Sequence, residues 1–426
     1  MHCPRLWDRT IQIKEMKRYI LNAILCLMAF SCVTACGKDN PEDIDDGPDK
    51  PFEPIALTKA EAEISSASNN FGFEVYHRLY NDDQMMISPL SLSLALALAT
   101  SGSAGQTAKE MCSTLGFSDF TTEEVSAYYQ KMVTALLEAD PKTTFEVANS
   151  IWANPRVKVK KSFIESAEKY YSSEVYDADF SKQSTVDAVN RWCSDKTHGK
   201  INGILDKPDP DLMMALINAL YFYGKWSFEF DDAKKGNFVN ISGNTIKADM
   251  MHSRDDLRYS EYDGYSMVTL PYGNGAFTMD VILPDEKTKF SDAVAKLDAG
   301  TLQMLDRISA TCDVDLKLPK FTFEYTSDMT RLLSGMGMSL AFSDHADFSN
   351  MAEKSLKISQ VKQKTFIDVN EKGTEAAAVT FIGMVATSVG PMPQKKFVEF
   401  HADRPFIFLI RERSTGAILF IGQKVS

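Results

Sequence analysis

From about residue 58 onward, apolar and polar positions alternate in short blocks, helix-like early in the chain and strand-like late. Residues 69–80 place Phe71, Val75 and Leu79, with Phe73, Tyr76 and Tyr80, on one broad side at helical spacing. Residues 87–90 read as a short strand and turn, with Ser91 able to cap a helix behind it. Residues 92–99 are apolar nearly all round, which predicts a buried helix. A Gly/Ser break at 101–105 precedes another helix from Thr107 to Gly116, and further helices are predicted over 162–172 and 184–197. Residues 145–152 alternate as a strand, and the continuous apolar run 212–222, interrupted by Asn218, suits a strand covered on both faces. From Asn237 on, strands dominate: 268–271, 277–283, 312–323, 366–369, 397–401, 406–411 and 417–421, with one short helix over 327–335. Helices first and strands last predict an α+β layout.

The first 57 residues do not share this patterning. Lys17 and Arg18 lead into an apolar run over 19–31, broken by Asn22 and too short for a confident membrane span. Residues before Met16 lack signal character, which leaves Met1 and Met16 as alternative starts. The run ends at Val33-Thr34-Ala35-Cys36, small residues ahead of a cysteine, which resembles the bacterial lipobox. Residues 1–35 are therefore read as a lipoprotein-type signal peptide and Cys36 as the lipidated residue; the alternative is an ordinary secretory signal. Residues 36–57, with four acidic side chains between Glu42 and Asp46 and prolines at 41, 48, 51 and 54, form a solvated tether to a body spanning 58–426. This places the protein in a bacterial cell envelope, and the acidic run after Cys36 is reminiscent of export to the outer face.

By length alone, 426 residues allow two or three domains. The net charge of −12 argues against nucleic acid and anionic membrane surfaces as partners, leaving the lipid as the only membrane contact, and otherwise serves solubility. Of seven cysteines, Cys36, Cys112, Cys193 and Cys312 come after the signal; they are too dispersed for a disulfide framework or a zinc site, and the last three read as buried thiols. The six histidines show no metal spacing, and no nucleophile elbow, His-Glu-x-x-His or glycine-rich phosphate loop is present. No metal or other cofactor is expected, and no enzymatic activity.

The most informative stretch is 370–388. Read as a strand, one face carries Thr374, Ala376, Ala378, Thr380, Ile382 and Met384, small and then apolar; the other carries Glu375, Ala377, Val379, Phe381 and Val385. The Glu-Ala-Ala-Ala run equally favours helix, and Gly373 with the later prolines favours a loop. Compatibility with both loop and central strand suits an element with two arrangements.

Glu371-Lys372-Gly373-Thr374-Glu375-Ala376-Ala377-Ala378 resembles the hinge of inhibitory serpins. Other segments are similar to that family in order: Asn70-Phe71-Gly72-Phe73, Ile87-Ser88-Pro89-Leu90-Ser91, Asn218-Ala219-Leu220-Tyr221-Phe222-Tyr223-Gly224-Lys225-Trp226, Leu318-Pro319-Lys320-Phe321, Phe348-Ser349, Phe400-His401-Ala402-Asp403-Arg404-Pro405-Phe406 and Leu419-Phe420-Ile421-Gly422. The resemblance implies one domain of three β-sheets and about eight or nine helices, with an exposed reactive-centre loop over 371–396, in place of the two or three domains suggested by length. It implies a monomer that traps serine or cysteine endopeptidases as a suicide substrate, its loop joining the central sheet after cleavage.

The resemblance also assigns residues. The hinge covers Glu371, Lys372, Gly373, Thr374, Glu375, Ala376, Ala377, Ala378, Val379 and Thr380. Sixteen positions beyond Glu371 lies Thr387, so the reactive bond is Thr387–Ser388, with Val385 and Ala386 as alternates and an elastase-like target. The stretch from Ser388 to Lys396, with Pro391 and Pro393, is longer than in a typical member. Ser88, Ser91 and Asn218 resemble the polar shutter beneath the sheet, where Gln363 replaces the usual histidine; ordinary capping and buried hydrogen bonds explain the same residues without a gating role. Lys320 and Glu371, beside Trp226, resemble the ion pair at the breach. The competing reading is a non-inhibitory serpin acting as a binding or chaperone module, which bulky or charged residues on the inserting face would favour.

Overall fold

The computed structural model describes residues 50–374 and 395–426. Cys36 and the hinge and loop positions Glu375 to Ser388 lie outside the described residues. Nine α-helices and fifteen strands are found among the described residues, in the α+β arrangement anticipated. These residues belong to one unit, so the division into two or three domains suggested by length does not occur.

Helix α1 (Lys59–Leu79) begins ten residues before the periodic stretch. Thr58 caps it: its hydroxyl accepts from the Glu61 amide while the Glu61 carboxylate accepts from the Thr58 amide. Ahead of it, residues 50–57 are not a wholly solvated tether. Phe52, Ile55 and Leu57 pack on the core, the Ile55 amide donates to Ser414 Oγ, and Arg413 lies over the Phe52 ring. Strand β1 (Met85–Ile87) leads into α2 (Pro89–Ser101), buried at all but its last residue. The cap is Ser88 rather than Ser91, because Pro89, with its φ already fixed, occupies the first helical position. Helices α3 (Gly105–Leu115), α4 (Thr122–Glu138), α5 (Lys161–Tyr171) and α6 (Gln183–Asp195) come next, with β2 (Thr144–Ala153) and β3 (Ser173–Asp177) between them.

The rest is mainly sheet: β4 (Met214–Lys225), β5 (Asp231–Val239), β6 (Thr245–Tyr262), β7 (Tyr265–Tyr272) and β8 (Phe277–Pro284) precede α7 (Phe290–Lys296) and α8 (Ala299–Ile308). The expected single strand over 312–323 is two, β9 (Ala310–Pro319) and β10 (Phe321–Asp328). Pro319 lacks a ladder donor, and the chain crosses there from one sheet to another. Helix α9 (Thr330–Gly335), β11 (Gln360–Asn370), the two-residue β12 (Gly373–Thr374), β13 (Phe397–His401), β14 (Phe406–Glu412) and β15 (Ile418–Lys424) complete the order.

One sheet has the order β10-β11-β12-β4-β2-β3. The other runs β1-β15-β14-β8-β7-β6-β9-β13, with β5 on β6. Strand β6 is long enough to pair with β7 at one end and β5 at the other, and so joins two of the three expected sheets into one ladder. Helix α2 lies beneath the six-stranded sheet, where Leu92, Leu94, Leu96 and Leu98 are all buried.

Candidate functional site

The site is built on a strand pair that is joined at one end and parted at the other. β11 and β4 run parallel and pair directly only from Gln360–Ala215 to Lys364–Ala219. Beyond that, at Thr365–Asp368 and Leu220–Tyr223, they pair with their outer neighbours β10 and β2 but not with each other. At the far end β12 is wedged between them, antiparallel to both, with Gly373 opposite Lys225 and Asn370, and Thr374 opposite Gly224 and Val369.

Local chemistry fixes this wedge. Gly373 has φ 151°, and a Cβ there would stand 2.2 Å from the Gly224 carbonyl oxygen, so no other residue fits. Thr374 is buried, and its hydroxyl hydrogen-bonds the Tyr272 hydroxyl at 2.6 Å. Tyr272 is itself fully buried, which pushes its phenol well up, so it remains a neutral hydrogen-bonding group. No sequence signal points to Tyr272, which lies 102 positions from Thr374 and on a different sheet.

At the top of the strands, Trp226 donates its backbone amide to the Lys372 carbonyl (3.1 Å) and its indole N–H to the Asn370 carbonyl (2.9 Å). Its ring stacks on Tyr272 with centroids 4.4 Å apart. Lys320 Nζ lies 2.7 Å from Glu371 Oε2, and the Ala233 amide donates to Glu371 Oε1 at 3.2 Å. Burial pushes the Glu371 carboxyl up, but Lys320 and the surrounding amides outweigh it and hold the group below its ordinary value. The ion pair is partly exposed, with 38% and 24% of the two side chains accessible, and belongs with ion pairs contributing ~0–1 kcal/mol.

The second group sits where the direct pairing begins. Gln363 and Asn218 are register partners on β11 and β4. Gln363 accepts from the Ser88 amide (2.8 Å) and donates to the Ser88 carbonyl (3.1 Å) and Asn218 Oδ1 (3.0 Å). Asn218 Nδ2 donates to Ser91 Oγ and to Asn149 Oδ1 (2.5 Å). All five residues are buried. Asn149 joins the four expected residues; it was hidden in the sequence because only the β2–β4 register, Asn149 opposite Asn218, brings it there. The Asn149 Nδ2 has no hydrogen-bond partner, a buried donor left unsatisfied beside the seam. Parting β11 from β4 here must break the Gln363–Asn218 bond.

Cys193 and Cys312 are buried, Cys112 is half-buried, and all three are free thiols. Among the described residues no group of histidine, cysteine and acidic side chains is placed to hold a metal ion.

A strand pair joined at one end and parted at the other, with a short third strand wedged between its far ends over a buried polar cluster, makes up the site. The profile of the family described as "Serpin (serine protease inhibitor)" matches residues 66–426. The chain belongs to the serpin family. It is 32% identical to Iripin-2 of the tick Ixodes ricinus over 380 residues, covering 87% of this chain and 95% of that protein. It is 35% identical to Serpin-Z2A of Triticum aestivum over 383 residues, covering 84% and 94%. Among solved structures, the thermophilic serpin tengpin in its native state superimposes with a TM-score of 0.78 at 32% identity, covering 88% of this chain and 97% of tengpin. Human thyroxine-binding globulin complexed with its hormone gives the same TM-score at 28% identity, covering 86% and 99%. Family membership thus supports protease inhibition in general, while the last neighbour belongs to a protein named for binding a small molecule.

Proposed function

We propose that this protein inhibits serine or cysteine endopeptidases of elastase-like specificity by covalent trapping. The observation that carries the reading is the placement of Gly373 and Thr374 as the first two residues of a strand between β11 and β4. Continued in the same register, Glu375 to Ala378 would lie opposite Tyr223 to Leu220 and Asp368 to Thr365, where the two strands are not joined. With Thr374 buried, the alternation of a strand would put the small side chains of Ala376 and Ala378 on the same face. From Val379 onward the strand must part the direct β11–β4 pairing and the Gln363–Asn218 bond, and Thr380, Ile382 and Met384 follow Ala378 inward.

In the proposed reaction the protease nucleophile attacks the Thr387 carbonyl carbon. The Thr387–Ser388 bond breaks, the Ser388 amine leaves with the proton given up by the nucleophile, and Thr387 remains joined to the enzyme as an ester of a serine or a thioester of a cysteine. The freed hinge then completes its insertion and carries the enzyme with it. We propose further that Cys36 is lipidated and anchors the protein in a bacterial cell envelope, and that the protein acts as a monomer. The non-inhibitory alternative, a binding module, has thyroxine-binding globulin as its structural parallel; the uncharged inserting face argues against it.

The test is denaturing electrophoresis of the protein after mixing with elastase-like, subtilisin-like, trypsin-like and papain-like proteases, with mass spectrometry of the products. A protease-sized shift that survives boiling, with cleavage at or next to Thr387, is expected. Complete cleavage there with no shifted band for any protease would overturn the inhibitory reading in favour of a binding module.

A further inference from the structure

A histidine outside the site touches the segment that holds the hinge. His252, on β6, places Nδ1 3.0 Å from Asp231 Oδ2 and Nε2 2.7 Å from Asp315 Oδ1. Both partners are carboxylates and can only accept, whereas a neutral imidazole has a single N–H. Satisfying both bonds requires the imidazolium. Asp231 opens β5 at an irregularity, because the register with β6 shifts between Asp231 and Lys234. Inside that irregular step sits Ala233, whose amide bonds Glu371 two residues before Gly373.

We propose that His252 is a proton-dependent pin for the hinge: its imidazolium, bridging Asp231 and Asp315, fixes the 231–233 step against β6 and β9 and so holds the Ala233 amide on Glu371.

The surrounding charges agree with the assignment. Asp231 first and Asp315 next raise the His252 pKa above its ordinary value, against a smaller opposing effect of burial. From β9, Lys317 also faces the cluster; from β13 and the turn after it come His401 and Asp403. His401 Nε2 lies 3.8 Å from Asp315 Oδ2 and makes no hydrogen bond, so it competes for that carboxylate only through charge. On β5 itself, Asp232, Lys234 and Lys235 line the same cleft of about 510 Å³, through which the imidazole exchanges protons with solvent. Lys235 is taken by Asp249. The sign comes from linkage. A histidine whose pKa is raised in the fold contributes fully below its unfolded value near 6.5, and the contribution is lost as pH rises through the folded value. The hinge is therefore held more firmly in mildly acid than in mildly alkaline conditions.

The proposal bears on the regulation of the inhibitory reaction and rests on that reading for its consequence only, since its test needs no protease. Hydrogen exchange of the whole protein would be followed by mass spectrometry between about pH 5.5 and 8, corrected for intrinsic rates, alongside NMR titration of the histidines. Protection of residues 231–236 and 370–374 is expected to fall by a factor of about two to five as His252 titrates, the range of half-exposed ion pairs. His252→Gln should hold protection at the high-pH level throughout, and His401→Gln should leave the response in place. In Glu371→Gln the 231–236 response should persist while that of 370–374 weakens. Flat protection in the native protein, or an unchanged response in His252→Gln, overturns the proposal. Asp231→Asn, an exposed change, supplies the same test should His252→Gln fold poorly.

Discussion

Gln363 binds three elements with one amide: the end of β1 through Ser88, the cap of α2 through the same residue, and β4 through Asn218. Its carbonyl oxygen and its nitrogen are both used, which suits an amide and would be split differently by an imidazole. Gln363→Ala leaves the Ser88 amide and carbonyl without their side-chain partner in a buried setting. We expect a loss of about 2–4 kcal/mol in stability, read from denaturant unfolding at neutral pH. A loss within experimental error of zero would mean that the cluster reorganises around Asn149, whose Nδ2 already lacks a partner.

At the scale of elements, the decisive feature is the mismatch between β11 and β4. Each is paired along most of its outer side, yet the two meet directly over only part of their length, and β12 occupies the far end. As strand β12, Gly373 and Thr374 thus stand in line with the stretch where β11 and β4 are not joined. Thr374 is the first side chain of that strand to go under, and its site offers one hydroxyl and no counter-charge. Thr374→Arg would have to bury an unpaired guanidinium beside Tyr272. The variant is expected to be cut in its loop as readily as the native protein while the inhibitor consumed per protease trapped rises by at least about tenfold, the measure being titration against a trapped protease. Unchanged stoichiometry would show that insertion starts beyond Thr374.

At the scale of the whole molecule, the proposed mechanism requires a state short of the most complete sheet. Full insertion would add ladder bonds of about 0.5–1.5 kcal/mol net each. It would also bury Ile382 and Met384, at about 1.5–3 kcal/mol apiece. In the proposed mechanism an intact loop, tied to the body at both ends, would withhold this gain kinetically until cleavage. Calorimetry before and after cleavage should show the melting transition rise by more than about 10 °C. A transition that falls or stays put on cleavage would argue that the loop never joins the sheet.

Much of this was legible in the sequence, but unevenly. The buried helix α2 and the doubly covered strand β4 were readable because burial on all sides leaves an unbroken apolar run. Of the Glu371 to Thr380 stretch, the described part ends at Thr374, and the alternation of small residues beyond it is a property of the sequence alone. Four kinds of feature were not readable. The start of α1 and the whole of α4 carry their own capping boxes, at Thr58–Glu61 and Thr121–Glu124, but their apolar stripes are diluted by polar residues. The docking of residues 50–57 depends on Ser414 and Arg413, at the other end of the chain. The break at Lys320 depends on two sheets meeting there. Asn149, Tyr272 and the His252 cluster depend on strand register and sheet order, which bring together residues separated by many tens of positions.

The sequence by itself determined the α+β class and the family, since these rest on local periodicity and on short motifs that survive without knowledge of contacts. Only the tertiary structure decided that Gly373 and Thr374 sit between β11 and β4, that Trp226 stacks on Tyr272, and that Ala233 links Glu371 to the step that carries Asp231, the partner of a histidine on another strand. The physical reason is common to all three. Pairing, stacking and hydrogen bonding between distant segments are set by the register and twist of sheets, and a one-residue shift in register would exchange every one of these partners for another.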